Sequence, residues 1–70
     1  MKGGELIMNR IKKVREAFGI KQKELSIKAG VSQPYLYDLE NNKRGAKPET
    51  FQRIADALGV PVESLIEKVG

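Results

Sequence analysis

The chain has 70 residues, a length that allows one domain and excludes two. It contains neither Cys nor His, so disulfides, zinc fingers, Cys nucleophiles and His general bases are excluded. Thirteen Lys and Arg against nine Asp and Glu leave a net charge of +4, with 40% hydrophobic residues. This composition predicts a small basic globular domain that is not an enzyme, and no cofactor or metal is expected.

The apolar run near the N-terminus is confined to Leu6-Ile7-Met8, too short for the hydrophobic region of a signal peptide. No stretch is long and apolar enough for a membrane span. We therefore expect a cytoplasmic protein with no membrane partner.

The charges are distributed unevenly along the chain. Residues 1–47 carry eleven Lys and Arg and five Asp and Glu, a net charge of +6, whereas residues 48–70 carry two and four, a net charge of −2. A surface that binds an acidic partner is therefore expected in the first two thirds of the chain.

Three glycine–aliphatic pairs separate segments with helical periodicity: Gly19-Ile20, Gly30-Val31 and Gly59-Val60. Such a pair ends a helix when Gly takes the left-handed conformation and the next apolar residue packs back onto the last turn. Apolar spacings of three and four then predict an all-α fold, a compact bundle of five helices. The predicted helices cover residues 9–18 capped by Asn9, 22–29, 33–41 capped by Ser32, and two segments that begin at Pro48 and Pro61.

The turn between the second and third helices is the most informative feature. It consists of Gly30, Val31 and Ser32, and a three-residue turn that contains Gly forces two short helices to cross steeply. This is a helix-turn-helix, at about residues 22–41. At the close crossing, Ser26 is expected to hydrogen-bond a carbonyl one turn back along its helix.

The chain resembles the Cro/C1-type (Xre-like) helix-turn-helix family in the run KQKELSIKAGVSQPYLYDLENNKR, which follows IKKVREAFGI and precedes PETFQRIADALGVPVESLIE. The resemblance covers residues 9–67 and leaves residues 1–8 as an N-terminal extension and 68–70 as a C-terminal tail. It implies a lambda-repressor-like DNA-binding domain. It further implies a homodimer on palindromic double-stranded DNA, with the third helix in the major groove.

The resemblance also assigns roles to residues, position by position. The residues that face the bases are Ser32, Gln33, Pro34, Tyr37 and Asp38. Those that meet the phosphates are Gln22, Tyr35, Lys43 and Arg44, to which Lys21 and Lys23 add positive charge. Arg15 and Glu40 are implied to form a buried structural ion pair.

The chemistry of these side chains suits the roles. The amide of Gln33 can pair with N6 and N7 of adenine, the Tyr37 ring can pack on a thymine methyl, and Asp38 can accept from cytosine N4 or stay in solvent. Tyr35 either brings its hydroxyl to a phosphate or covers the rim of the core.

The sequence therefore predicts a sequence-specific DNA-binding transcriptional regulator, most simply a repressor. An antitoxin whose main partner is a small toxin protein is one alternative, and a helical interaction module without DNA binding is another. The last segment has three apolar residues: Val62, Leu65 and Ile66. They either form a dimer seam, which Leu6-Ile7-Met8 could extend, or pack within the domain.

Overall fold

The computed structural model describes the backbone of residues 6–69 and the side chains of residues 9–66. Within that range the elements in chain order are strand β1 (Leu6–Asn9), helices α1 (Ile11–Ala17), α2 (Gln22–Ala29), α3 (Gln33–Glu40) and α4 (Pro48–Leu58), a 3-10 helix (Val62–Leu65) and strand β2 (Ile66–Val69). The predicted helical class is confirmed for the body of the domain. Residues 1–5 of the predicted N-terminal extension and residue 70 of the predicted tail lie outside the described range.

The core forms where the four helices and the 3-10 helix meet. Its fully or nearly fully buried residues are Ile11, Leu25, Ala29, Leu36, Leu39, Ile54, Ala55, Leu58 and Leu65. The apolar stripes predicted for the second, third and fourth helices therefore face inward. Phe18 continues the apolar spacing of three and four residues in the first helix, but it is 52% exposed because α1 ends at Ala17 and Phe18 lies in the C-cap.

The glycine stops predicted from the sequence are confirmed. Gly30 has φ of +71°, and the N–H of Val31 donates to the carbonyl of Ser26 at 3.0 Å. A Cβ at Gly30 would meet no neighbour within 4 Å, so the left-handed backbone alone accounts for glycine there. Bonds of the same kind follow α1, from Ile20 N–H to the carbonyl of Arg15 at 3.1 Å, and α4, from Val60 N–H to the carbonyl of Ala55 at 3.0 Å.

The close crossing of α2 and α3 is also satisfied as predicted. Ser26 is buried at 4% exposure, and its hydroxyl donates to the carbonyl of Lys23 at 2.7 Å. The small side chain thus fits beside α3 and leaves no polar group without a partner.

The prediction of a fifth α-helix is wrong. The four-residue 3-10 helix ends at Leu65, and Ile66 has extended dihedral angles of φ −124° and ψ 131°. From there β2 pairs antiparallel with β1, in a register that runs from Leu6 opposite Val69 to Asn9 opposite Ile66. Because strand pairing supplies the partners that the backbone needs, the chain leaves the helical conformation. The described range thus holds four α-helices, a 3-10 helix and a two-stranded ribbon.

The first helix begins later than predicted. Arg10 occupies the cap position and α1 starts at Ile11, whose N–H donates to Oδ1 of Asn9 at 3.2 Å. The pairing of β1 with β2 accounts for the shift, because it holds Asn9 in extended conformation at the end of the strand. None of the helices in residues 6–69 is long and apolar enough to cross a membrane.

Candidate nucleic-acid interface

Helix α3 presents one side to solvent at its N-terminal half. Ser32 caps the helix, since its Oγ accepts from the N–H of Tyr35 at 3.3 Å, and Pro34 sits in the first turn, where no intrahelical N–H partner is required. Leu36 and Leu39 face the core. The residues predicted to face bases lie away from that core side; four are exposed and Asp38 is partly buried: Ser32, Gln33, Pro34, Tyr37 and Asp38.

A chain of polar contacts runs from the interior to this exposed side. The guanidinium of Arg15 makes a two-pronged contact with Glu40, from Nε to Oε2 at 2.7 Å and from Nη2 to Oε1 at 3.1 Å. Glu40 Oε1 also accepts from the amide of Gln22 at 3.1 Å. The carbonyl oxygen of Gln22 in turn accepts from Nε2 of Gln33 at 3.2 Å. The exposed amide of Gln33 is therefore connected to a buried ion pair through one intermediate side chain.

The ion pair at the inner end of this chain is well satisfied. The side chain of Glu40 is 1% exposed and that of Arg15 is 10% exposed, so each charge depends on protein partners. Besides Glu40, the guanidinium of Arg15 donates to the carbonyl of Ile20 at 2.9 Å, across the turn between α1 and α2. Within the described residues, no buried side-chain polar atom lacks a hydrogen-bond partner.

The side chain of Gln22, which is predicted to bind a phosphate, is also held by two protein side chains. Its amide lies between Glu40 and Gln33 and uses its oxygen and one N–H there. The second N–H remains for a phosphate oxygen. Lys21, in the N-cap position of α2, and Lys23 are exposed beside it.

Two basic residues of the loop after α3 lie over tyrosine rings of the helix. Lys43 Nζ is 5.7 Å from the ring centroid of Tyr37, and Arg44 Cζ is 5.2 Å from that of Tyr35. Both distances are within the range of cation–π attraction. Tyr35 is partly buried and packs against the core, in agreement with the interpretation that it covers the core rim, while its ring also contacts Arg44. The loop cations thus lie beside α3.

The roles of two asparagines, Asn42 and Asn9, at the end of α3 were not predicted from the sequence. Asn42 has φ of +58°, the left-handed conformation that Gly supplies after the other helices, and Asn is the usual substitute for Gly there. Asn9 donates from Nδ2 to the carbonyl of Leu39 at 2.6 Å and to Oδ1 of Asn42 at 2.9 Å. The pair of asparagines after Glu40 is a local signal for a left-handed helix end. No local signal reveals the contact of Asn9 with Leu39, because the two residues lie 30 positions apart in the chain.

A short helix-turn-helix whose second helix has one exposed side, with cations beside it, is typical of DNA-binding regulatory domains. The chain matches the helix-turn-helix family over residues 11–65 and belongs to it. This match, together with relatives that are HTH-type transcriptional regulators and a phage immunity repressor, confirms the Cro/C1-type resemblance.

The chain is 33% identical over 63 residues to the HTH-type transcriptional regulator DdrOP3 of Deinococcus deserti, which covers 90% of this chain and 49% of the relative. It is 36% identical over 62 residues to the HTH-type transcriptional repressor RghR of Bacillus subtilis, which covers 87% of this chain and 46% of the relative. The chain therefore spans about half the length of these relatives.

Among solved structures, the chain is similar to SinR of Bacillus subtilis, described as a master regulator for biofilm formation, in complex with DNA. The TM-score is 0.74 at 32% identity, and the match covers 79% of this chain and 89% of that chain. The fold of the described residues is therefore one that binds DNA in a relative.

Proposed function

We propose that this chain is a sequence-specific DNA-binding transcriptional regulator that represses transcription as a homodimer in the cytoplasm. Helix α3 would lie in the major groove of each half of a palindromic operator. The observation that supports this most directly is the exposed amide of Gln33, fixed at the first turn of α3 by Gln22 and the buried pair of Arg15 and Glu40. The related regulator and repressor named above support the same function.

In this proposal the residues on the exposed side of α3 read bases. The Gln33 amide pairs with adenine, because it can donate to N7 while it accepts from N6. Tyr37, which is 48% exposed, packs on a thymine methyl, and Asp38 selects cytosine by accepting from N4. The Ser32 oxygen already caps α3, so its hydroxyl proton is the group left to donate to DNA.

The flanks of α3 bind the phosphates. The groups available for this are the free N–H groups at the start of α2, the second N–H of Gln22 and the cations of the loop. Four cationic side chains supply the sequence-independent part of the affinity: Lys21, Lys23, Lys43 and Arg44. This part falls as the salt concentration rises, because binding releases counterions from the DNA into the solution. The Tyr35 ring holds Arg44 in place, and the Tyr35 hydroxyl can contact a phosphate of the DNA backbone.

Selection of bound duplexes from a random pool, followed by binding titrations, tests base reading. Gln33→Ala is expected to lose about 1–3 kcal/mol of preference at one base pair while its affinity for mixed-sequence DNA stays near that of the wild type. The matched control is Glu16→Ala, because Glu16 is exposed on α1, outside the helix-turn-helix and outside the groove described below. Sedimentation must show that the control has the wild-type oligomeric state. An unchanged preference in Gln33→Ala would refute the assignment.

The proposed dimer uses an apolar groove beside the C-terminal ribbon. Of the two possibilities for the last segment, Leu65 follows packing within the domain, because it is completely buried. Val62 and Ile66 remain available and line a groove with Ala46, Pro48, Phe51 and Gln52. One domain reads one half-site, and a second copy seated on this groove would supply the specificity that a half-site lacks.

Sedimentation equilibrium tests this interface. Ile66→Lys places a charge on a side chain that is 37% exposed at the groove and is expected to shift a wild-type dimer toward monomer. Its affinity for a palindromic duplex should fall more than its affinity for a single half-site. A monomeric wild type, or a variant that dimerises as well as the wild type, would rule out the groove.

The two alternatives from the sequence have less support. An antitoxin would need a small toxin partner, and the relatives described above are regulators and repressors. An interaction module without DNA binding would leave the cations around α3 and the held amide of Gln33 without a role.

A further inference from the structure

Asn9 joins the terminal ribbon to the end of α3. Its backbone pairs with Ile66 in the ribbon, and the N–H of the next residue, Arg10, donates to the carbonyl of Leu65 at 2.7 Å. The Asn9 side chain then uses all of its hydrogen-bonding groups across the domain. Oδ1 accepts from Ile11 N–H at 3.2 Å, and Nδ2 donates at 2.6 Å to Leu39 and at 2.9 Å to Asn42.

The two acceptors of Asn9 belong to the motif that ends α3. Asn42 is left-handed, its N–H donates to the carbonyl of Leu39 at 3.1 Å, and the N–H of Lys43 donates to the carbonyl of Asp38 at 2.9 Å. The left-handed conformation costs a non-glycine residue of the order of 1–2 kcal/mol, so it persists where neighbours hold it. Asn9 contacts both the carbonyl and the side chain that define this turn.

The direction of the chain after this turn decides where Lys43 and Arg44 lie. They follow Asn42 directly, and their cations rest 5.7 and 5.2 Å from the rings of Tyr37 and Tyr35 on α3. A change in the backbone at Asn42 would move both cations away from the flank of α3 together. The contacts of one partly buried side chain, Asn9, therefore bear on the position of two cations.

We propose that Asn9 is a positioning residue for DNA binding, which holds the left-handed turn at Asn42 so that Lys43 and Arg44 meet the phosphates beside α3. This inference rests on the proposed function. It adds that residues outside the helix-turn-helix, in the ribbon, determine part of the electrostatic affinity.

The test is the salt dependence of binding to a short duplex of mixed sequence. Asn9→Ser keeps an oxygen for the Ile11 N–H but is too short to reach Leu39 and Asn42. Each lost phosphate contact lowers the slope of log affinity against log salt by about 0.9, so Asn9→Ser should lower it by about 1–2. The ratio of affinities for a selected duplex and the mixed one should stay at the wild-type value, because α3 itself is unchanged.

The Lys43→Ala/Arg44→Ala variant distinguishes positioning from a general loss of structure. It should lower the slope by about 1.8 by itself, and adding Asn9→Ser should lower it no further. Three results would overturn the inference. They are a further decrease in slope of the same size in the triple variant, a wild-type slope in Asn9→Ser, and a loss of base preference in Asn9→Ser. Circular dichroism checks that each variant is folded.

Asn42→Ala decides the question if Asn9→Ser does not fold. Alanine lacks the Oδ1 that Asn9 holds at 2.9 Å and disfavours the left-handed backbone at φ of +58°, so the slope should again fall by about 1–2, and an unchanged slope overturns the inference. Failure of the proposed function has a different signature: wild-type protein that binds neither duplex. If the wild type prefers its selected duplex but the double alanine variant keeps the wild-type slope, only the role of the loop cations, and with it that of Asn9, is refuted.

Discussion

Removal of Glu40 is predicted to destabilise the domain far more than removal of Glu40 and Arg15 together. Glu40→Leu leaves the guanidinium of Arg15, at 10% exposure, with the carbonyl of Ile20 as a partner at 2.9 Å. Breaking a buried pair in this way costs about 3–5 kcal/mol, whereas replacing both partners by apolar residues is often neutral or stabilising. We therefore expect Arg15→Met/Glu40→Leu to unfold close to the wild-type midpoint.

The size of the effect makes it easy to measure. A domain of 70 residues has a free energy of unfolding of about 4–10 kcal/mol, so the single variant loses a large share of it. At about 4–8 °C per kcal/mol, Tm should fall by at least about 12 °C. Thermal unfolding followed by circular dichroism gives both values. The argument fails if the double variant is as unstable as the single one, because the cost then does not arise from a stranded charge.

The double variant also tests the connection to the interface. Without Glu40, the amide of Gln22 loses its acceptor at 3.1 Å and no longer holds Gln33 in a fixed orientation. Ordering one such side chain on binding costs about 0.5–1.5 kcal/mol, which corresponds to a two- to twelvefold decrease in affinity for the selected duplex. Affinity for mixed-sequence DNA should change little. A stable double variant with full base preference would refute the connection from Glu40 to Gln33.

Three further substitutions separate the contributions of the backbone, the core and the surface to the free energy of unfolding, each measured by urea denaturation. Gly30→Ala should cost about 1–2 kcal/mol through its φ of +71° alone, and a neutral result would mean that the turn relaxes. Ile54→Ala, at 0% exposure, should cost about 2–5 kcal/mol with an unchanged denaturant slope, and a cost below about 1 kcal/mol would contradict its place in the core. Lys28→Ala removes a surface contact with Glu24 of 3.7 Å between half-exposed side chains, so a loss above about 0.5 kcal/mol would be unexpected.

The parts of the fold that local chemistry determines could be predicted from the sequence. Gly30 followed by Val31 marks a helix end because left-handed backbone and an apolar contact are both encoded by adjacent residues. The buried stripes of α3 and α4 follow from spacings of three and four. The ribbon could not be predicted, because Leu6 and Val69 pair across almost the whole chain and their segments show no strand-like alternation.

The candidate site shows the same division. The exposure of Gln33 and Tyr37 follows from the position of Leu36 and Leu39 on the same helix. The contact of Asn9 with Leu39 depends on tertiary structure and has no counterpart in sequence spacing. Asn42 lies between these cases, since a left-handed asparagine after a helix is a recognised alternative to glycine.

The chain of contacts from Arg15 to Gln33 also has a direction. An ionised carboxylate accepts hydrogen bonds and donates none, so Glu40 requires Gln22 to turn its NH₂ group inward and its oxygen outward. That oxygen in turn requires the NH₂ group of Gln33, which leaves one N–H and the carbonyl oxygen of Gln33 toward solvent. A buried negative charge thereby selects which end of a surface amide faces solvent, two side chains away.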